Sequence, residues 1–303
     1  MSSELRVGFV GTGTMGAPMV ERLLDRERAL SIHDVNPATA ASLRERGAHW
    51  APSLEDLATR CNVVLLSLPG PAQIKSVVSG PGGLLSKLEA GSIIVDLSTN
   101  SVQTARELAA ACHSRDICFL DSPVSGGMKG AREGTLVLMI GGDATALEQV
   151  RPVLEQISRS IFHLGPAGSG SVAKLVNNQL YLCGQVLFFE GLVLAAKAGL
   201  DLSALIEILN QSGSGGVHSL LADRIFERRF DDRTFTLALA EKDVALALEA
   251  GRSLEVPMPA TAASHQLFVE AAAAGLHDKN FWAAVELVER HANTRVESEV
   301  SGQ

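Results

Sequence analysis

Short apolar runs alternate with helical patterns through the first half of the chain. Residues 5–10 form an apolar run typical of a buried strand, and residues 17–24 place apolar side chains at the three- and four-residue steps of a helix. The alternation continues with predicted strands at 30–33, 63–68, 92–97, 118–121, 135–141 and 160–164, and predicted helices at 37–46, 53–60, 102–115 and 144–157. Such alternation predicts right-handed crossovers and a doubly wound parallel sheet of the α/β class.

Three glycines follow the first predicted strand in the order Gly-x-Gly-x-x-Gly, at Gly11, Gly13 and Gly16. The first lets the chain turn at positive φ, the second removes a Cβ that would block a phosphate, and the third lets the helix lie close to the strand. Free N–H groups and the helix dipole then face the anion. With Thr14 and Met15 between them, these glycines predict a cofactor-binding turn for the pyrophosphate of a dinucleotide in a Rossmann domain.

The second predicted strand ends in Asp34, about 20 residues beyond the glycines, where the ribose hydroxyls of a dinucleotide are expected. The alternative is a cap for the helix that begins at Pro37, a role that Asn36 could also fill. No arginine lies beside Asp34. Because a carboxylate repels a 2′-phosphate, the sequence favours NAD over NADP as the cofactor.

The pattern changes at the glycine-rich segment of residues 165–170. Beyond it we find only long, alanine- and leucine-rich helical patterns, with breaks at 212–216, 230–233 and 256–259. We therefore predict a dinucleotide-binding Rossmann domain at residues 1–164 and an all-helical domain for substrate binding and oligomerisation at residues 165–303.

Composition excludes several classes of protein. A net charge of −8 and a pI near 5.5 argue against a nucleic-acid partner. The four cysteines form no CxxC pair and the eight histidines no HExxH, so we expect no metal site. No signal peptide precedes the first strand, and Gln185, Glu190 and two glycines interrupt the apolar stretch of residues 180–196. These features predict a soluble cytoplasmic protein without a membrane span.

One candidate substrate-binding segment is Ser125-Gly126-Gly127, within a predicted loop at residues 122–134 that follows a strand. A hydroxyl and closely spaced backbone N–H groups suit a substrate carboxylate. An ordinary glycine turn would have the same sequence pattern, and the spacing does not separate the two.

Lys174 and Asn178 are four residues apart and share one face of the helix that follows residue 170. A lysine on a helix is usually just solvated. This helix, however, begins where the chain leaves the nucleotide domain, so its first turns can border the cofactor crevice. Further along, Lys242 and Asp243 could form a simple surface ion pair.

Four motifs, taken together, resemble the β-hydroxyacid dehydrogenase family, which includes 3-hydroxyisobutyrate dehydrogenases and tartronate semialdehyde reductases. They are the glycine turn with Met15, the segment DSPVSGGMKGAREGTL at residues 121–136, the helix with Lys174 and Asn178, and Glu241-Lys242-Asp243. The resemblance runs in order from about residue 6 to residue 290.

The resemblance implies an NAD-dependent oxidoreductase that oxidises a small 3-hydroxy acid or reduces the corresponding semialdehyde. It implies that Lys174 is the catalytic residue and that Ser125, Gly126, Gly127 and Asn178 bind the substrate. It further implies that the cofactor contacts Leu68, Pro69, Thr99 and Lys242. Lys129, Arg132 and Glu133 are expected to face solvent.

Two other functions are alternatives for this sequence. Imine reductases usually carry an aspartate or tyrosine in place of Lys174 and favour NADP, whereas a silent nucleotide-binding scaffold would lack the lysine. The glycine- and serine-rich segment 212–219, with His218, gives no readable specificity, so hydroxyisobutyrate, glycerate and hydroxybutyrate-like acids are not distinguished. The alanine-rich helical domain suits a homodimer or homotetramer.

Overall fold

The computed structural model describes residues 5–25, 30–212, 216 and 223–297. The chain divides into two compact units, Met1–Lys174 and Leu175–Gln303, which are described one at a time. In the first unit, an α/β unit, the strands are β1 (Val7–Val10), β2 (Leu30–His33), β3 (His49–Trp50), β4 (Val63–Leu66), β5 (Ile93–Asp96), β6 (Cys118–Asp121), β7 (Val124–Ser125), β8 (Leu136–Gly141) and β9 (Ser158–Gly165).

The helices of this unit are α1 (Gly16–Leu24), α2 (Ala41–Glu45), α3 (Leu54–Arg60), α4 (Pro71–Ser79), α5 (Val102–His113), α6 (Gly127–Glu133) and α7 (Ala144–Leu154), with 3-10 turns at Pro37–Ala40 and Leu84–Ser86. Helix α4 is not among the helices predicted from the sequence; it begins with Pro71, a residue that suits the first position of a helix and also a turn.

The sheet order is β3-β2-β1-β4-β5-β6-β8-β7, with β9 paired to β8. Strands β1 to β6 run parallel, as the alternating pattern predicts. Alternate residues of the central strands pack against helices on opposite faces. Leu65 belongs to the core that contains α1 and α7, and Leu66 belongs to the core that contains α3, α4 and α5. The fold is therefore a doubly wound Rossmann-like sheet.

The end of the sheet departs from the all-parallel expectation. Strand β8 runs antiparallel to β6 and β7, and β9 is parallel to β8. Asp121 pairs with Gly141, and Ser125 pairs with Val137 in the same antiparallel register, so β7 continues the path of β6 past Ser122 and Pro123. The expected loop at 122–134 is thus wrong in detail, because it contains β7 and α6.

The long helix α8 (Ser169–Lys197) begins in the first unit and leads into the second. The second unit contains α9 (Leu202–Gln211), α10 (Asp223–Phe226), α11 (Leu237–Ser253), α12 (Pro259–Ala271) and α13 (Val285–Ala292), with a π turn at Ala272–Leu276 and a 3-10 turn at Phe281–Ala284. All regular elements among its described residues are helical.

Helix α8 is long and apolar enough, by length and composition, to cross a membrane. In the structure one face of this helix lies in the core of the second unit, and 39% of its apolar window is buried. Leu182, Phe189 and Val193 are buried on it and pack in one cluster with Phe268 and Trp282. Packing within the helical unit therefore explains the apolar residues on this face of α8.

Candidate functional site

The turn between β1 and α1, residues 11–16, has the geometry that its glycines predict. Gly11 has φ of 96°, and a Cβ built on it would lie 2.2 Å from the carbonyl oxygen of Ser67. A Cβ on Gly16 would lie 1.8 Å from the carbonyl oxygen of Gly11, so α1 starts in backbone contact with the turn. No atom lies within 4 Å of the Cβ position of Gly13. The turn thus leaves open space beside a helix N-terminus, which fits a pyrophosphate.

A cavity of about 520 Å³ opens beside this turn. Helix α6 supplies Met128 and Arg132 to its wall; the remaining lining residues are Thr12, Gly13, Thr14, Ala17, Pro18, Glu21 and Thr39. Arg132 is exposed, as the sequence predicts, but it also brings a positive charge to the cavity beside the turn. Sequence reasoning missed this placement because it depends on how α6 folds back toward α1.

Asp34 follows β2 and is tied to the glycine turn. Its Oδ2 accepts a hydrogen bond from the Thr12 N–H at 2.7 Å, and its Oδ1 accepts one from the Asn36 N–H at 2.8 Å. The cap of the following 3-10 turn is Asn36, whose Oδ1 accepts from the Ala38 N–H at 3.1 Å. The capping alternative for Asp34 is therefore taken by Asn36, and the carboxylate of Asp34 is oriented at the turn.

Three other residues that are expected to contact the cofactor, Leu68, Pro69 and Thr99, lie at the ends of neighbouring parallel strands. Leu68 and Pro69 follow β4, and Thr99 follows β5. The N–H of Leu68 donates to the Ser98 Oγ at 2.9 Å, which links these two strand ends. Since β2, β1, β4 and β5 are adjacent and parallel, all these residues belong to the carboxyl edge of the sheet.

Two buried carboxylates, to which the sequence assigned no role, lie at the same edge. Asp96 and Asp121 end β5 and β6 and are paired in register. Asp96 accepts hydrogen bonds from the Ser98 N–H at 3.1 Å and from Asn100 Nδ2 at 2.9 Å. Burial raises the pKa of Asp96 to about 6 and also raises the pKa of Asp121. Only the pairing of β5 with β6 brings the two together.

The candidate substrate segment spans the end of β7 and the start of α6. Ser125 is half-buried and pairs with Val137, whereas Gly126 and Gly127 are exposed. These two glycines have φ of 128° and 59°, so the chain turns sharply from the strand into the helix. A hydroxyl and exposed backbone N–H groups are thus gathered at one turn.

Lys174 is a half-buried residue on α8, one turn beyond Ser171. It ends the first unit, whereas Asn178 and Lys242 belong to the second. Part of the predicted specificity segment, including His218, lies outside the described residues.

Within the second unit, Asp243 joins two predicted site residues. Its Oδ2 accepts a hydrogen bond from Asn178 Nδ2 at 2.6 Å, and its Oδ1 lies 2.9 Å from Lys242 Nζ. The Asp243 side chain is only 4% exposed, so the alternative of a simple surface ion pair is wrong. Asn177 Nδ2 donates to Asn178 Oδ1 at 3.0 Å, which holds the amide of Asn178 from the other side.

Comparison with known families finds two matches that follow each other along the chain. Residues 6–165 match the NAD binding domain of 6-phosphogluconate dehydrogenase, and residues 168–288 match the NAD-binding domain of NADP-dependent 3-hydroxyisobutyrate dehydrogenase.

Individual relatives cover most of the chain. The 2-(hydroxymethyl)glutarate dehydrogenase of Eubacterium barkeri is 34% identical and covers 98% of this chain and 99% of its own. The NAD-dependent L-serine dehydrogenase of Pseudomonas aeruginosa is 36% identical, and the match covers 82% of this chain and 86% of that enzyme. The structure of 3-hydroxyisobutyrate dehydrogenase from Mycobacterium tuberculosis with L-serine is 29% identical, has a TM-score of 0.84, and covers 94% of this chain and 99% of its own.

Proposed function

The chain belongs to the β-hydroxyacid dehydrogenase family, and we propose that it uses Lys174 as the general acid/base in hydride transfer between NAD and a small 3-hydroxy acid. It is an NAD(P)-dependent oxidoreductase acting on CH–OH groups, with NAD as the favoured cofactor. The observation that carries the cofactor choice is the Asp34 carboxylate, bonded to Thr12 in the glycine turn at 2.7 Å. We further propose that the dinucleotide-binding domain spans residues 1–164 and the helical domain residues 165–303.

The residues that would hold the cofactor divide by the group they face. Backbone N–H groups of the glycine turn suit the pyrophosphate, and the Asp34 carboxylate suits the ribose hydroxyls. The other proposed cofactor contacts are Leu68, Pro69, Thr99 and Lys242. The nicotinamide, when bound, supplies the hydride acceptor for oxidation and the hydride donor for reduction.

The turn at Ser125, Gly126 and Gly127 and the side chain of Lys174 act on different parts of the substrate. The Ser125 hydroxyl and the N–H groups of Gly126 and Gly127 bind the carboxylate, which orients the hydroxyl-bearing carbon. Neutral Lys174 Nζ accepts the hydroxyl proton in oxidation, and its ammonium form returns the proton in reduction.

Asn178 binds the substrate hydroxyl through its side-chain amide. One N–H of Nδ2 donates to Asp243, and Asn177 donates to Oδ1, which fixes the plane of the amide. The second N–H of Nδ2 can then donate to the hydroxyl oxygen of the substrate.

The substrate class follows from what the relatives share. The relatives are named for hydroxymethylglutarate, serine and 3-hydroxyisobutyrate, and each of these compounds carries a hydroxymethyl group on the carbon next to a carboxylate. We propose a small acid with this arrangement, or the corresponding semialdehyde. The imine reductase and silent scaffold alternatives are not favoured, because these relatives are hydroxy-acid dehydrogenases and Lys174 is present.

We also propose a cytoplasmic homo-oligomer, with a second copy of the chain covering an exposed leucine stripe on α8. Leu180, Leu187 and Leu194 are spaced by seven residues and are 68%, 68% and 72% exposed. Seven-residue spacing keeps them on one face of the helix, as in helices that pair with another helix. A dimer or a tetramer would bury this face.

A panel of small hydroxy acids tests the proposed activity, with NADH or NADPH formation measured by absorbance. We expect turnover with NAD on at least one acid that carries a hydroxymethyl group next to its carboxylate. Lys174→Ala should lower kcat at least about a hundredfold, as loss of a general acid/base does, with little change in the Kd for NAD.

The matched control is Lys197→Ala, on the same helix, whose Nζ bonds to the Ala292 carbonyl oxygen at 2.5 Å. It should keep the wild-type kcat. Full activity of Lys174→Ala would overturn the assigned mechanism, and failure of every hydroxy acid in the panel would overturn the substrate class.

A further inference from the structure

Asp121 connects the end of β6 to the start of α8. Its Oδ1 accepts a hydrogen bond from the Gly168 N–H at 2.8 Å, and its Oδ2 accepts one from the Ser171 N–H at 2.7 Å. The side chain is wholly buried. Both oxygens are therefore committed to backbone groups that precede or belong to the first turn of α8, where unpaired N–H groups favour a carboxylate.

The same turn of α8 packs on the sheet without side chains in between. A Cβ on Gly170 would lie 2.2 Å from the Met139 carbonyl oxygen and 2.5 Å from that of Asp121. A Cβ on Gly141 would lie 2.5 Å from Asp121 Oδ1. Because backbone meets backbone at this point, the start of α8 has little room to shift relative to β6 and β8.

Two proposed catalytic segments leave from this contact. In one direction the chain continues from Asp121 along β7 to Ser125, which begins the proposed carboxylate-binding turn. In the other, Lys174 follows Ser171 by three residues, so it lies one turn further along the anchored helix. Asp121 is thus the covalent start of one segment and the hydrogen-bonded anchor of the other.

We propose that Asp121 is a positioning residue that fixes Lys174 relative to the substrate carboxylate bound at Ser125, Gly126 and Gly127. This inference rests on the proposed function. A carboxylate suits the task, because each of its two oxygens accepts one N–H and its charge complements the helix N-terminus. An amide at this position keeps the shape but has only one acceptor oxygen, so the start of α8 loses one of its two bonds.

Asp121→Asn tests the inference, with Asp143→Asn as its matched control. Asp143 is also a helix-capping carboxylate in the first unit, since its Oδ1 accepts from the Ala146 N–H of α7 at 2.8 Å. Asp121→Asn should lower kcat about 10- to 100-fold, the scale expected for a misplaced catalytic group. It should also shift the pH profile of kcat, because the surroundings of the Lys174 amine change, while the Kd for NAD stays near that of the wild type.

Asp143→Asn should lower Tm but keep kcat within twofold and leave the pH profile unchanged. Calorimetric titration with NAD counts the folded sites, and kcat is expressed per site. Gly170→Ala provides a second route, because it retains the carboxylate but pushes the start of α8 away from the Met139 carbonyl. It should reproduce the loss of kcat per site.

Several results would overturn the positioning role. One is a kcat per site of Asp121→Asn within twofold of the wild type, and another is an unshifted pH profile for that variant. A third is a loss of activity in Asp121→Asn and Gly170→Ala that merely follows the number of NAD sites. Lys174→Ala separates this failure from failure of the proposed function. If Lys174→Ala is inactive and Asp121→Asn is not, only the positioning role is wrong; if Lys174→Ala is fully active, the catalytic assignment itself is wrong.

Discussion

Asn178 and Asp243, 65 residues apart in the sequence, meet in a buried hydrogen bond of 2.6 Å that joins α8 to α11. The same carboxylate lies 2.9 Å from Lys242 Nζ, so one buried anion holds both an amide and an ammonium group. The bond is charge-assisted and shielded from water, two conditions that strengthen it.

Asp243→Asn should therefore destabilise the protein and weaken substrate binding. Loss of a hydrogen bond to a charged group costs about 1.5–3 kcal/mol, and the new amide would present an N–H toward Lys242 or Asn178. We expect a lower urea midpoint and a higher KM for the hydroxy acid. Asp278→Asn, at an exposed carboxylate beside His277, is the control and should change neither quantity. Equal behaviour of the two variants would contradict the role given to Asp243.

Asp34→Asn should relax the preference for NAD. The amide oxygen can retain a hydrogen bond to Thr12 or Asn36, so the turn is preserved while the negative charge is removed. We expect the ratio of kcat/KM for NAD to that for NADP to fall at least about tenfold, because the repulsion of a 2′-phosphate is lost. Asp25→Asn, at an exposed carboxylate paired with Arg46, serves as the control. An unchanged ratio would remove the ribose role from Asp34.

Asp96 should make stability decrease as the pH rises from about 4 to 6. Burial raises its pKa from 3.8 to about 6 in the folded protein, so the folded state binds the proton more tightly than the unfolded state. The difference in free energy of unfolding between the wild type and Asp96→Asn should therefore fall by up to about 3 kcal/mol across this range. Urea denaturation at pH 4, 5, 6 and 7 measures it. A difference that is constant with pH, or that grows, would contradict the assignment.

Leu187→Glu should weaken self-association of the chain. The side chain lies at the middle of the exposed stripe on α8, where a charge would be buried against a second copy. Sedimentation should show the wild type at twice the 31.9 kDa chain mass or more and the variant shifted toward a single chain. Leu254→Glu replaces a leucine that is 51% exposed and lies outside the stripe, and it should leave the mass unchanged. A wild type that sediments as one chain at micromolar concentration would refute the oligomer.

The backbone geometry of the glycine turn could be predicted because most of its signal is local. Strand β1, Gly11, Gly16 and α1 are contiguous, and a Cβ on Gly16 would meet the Gly11 carbonyl oxygen within the turn itself. Gly11 has a positive φ in addition to its close approach to Ser67 on the neighbouring strand. Helix α6 was not predicted, because its local sequence gives little helical signal. Gly126 precedes it, Gly127 and Gly130 lie within it, and it has only seven residues, so its local propensity resembles that of a loop.

Local patterns were enough to predict the alternation of strands and helices, the glycine turn after β1, the position of Asp34 just after β2, and the shared helix of Lys174 and Asn178. Tertiary structure decided the antiparallel return of β8, the capping of α8 by Asp121 and the burial of Asp243. Asp121 and Gly168 are 47 positions apart in the sequence, and Asn178 and Asp243 are 65 positions apart. A periodic pattern reports which face of an element is apolar, but pairings at such separations depend on how the elements pack, which no local pattern encodes.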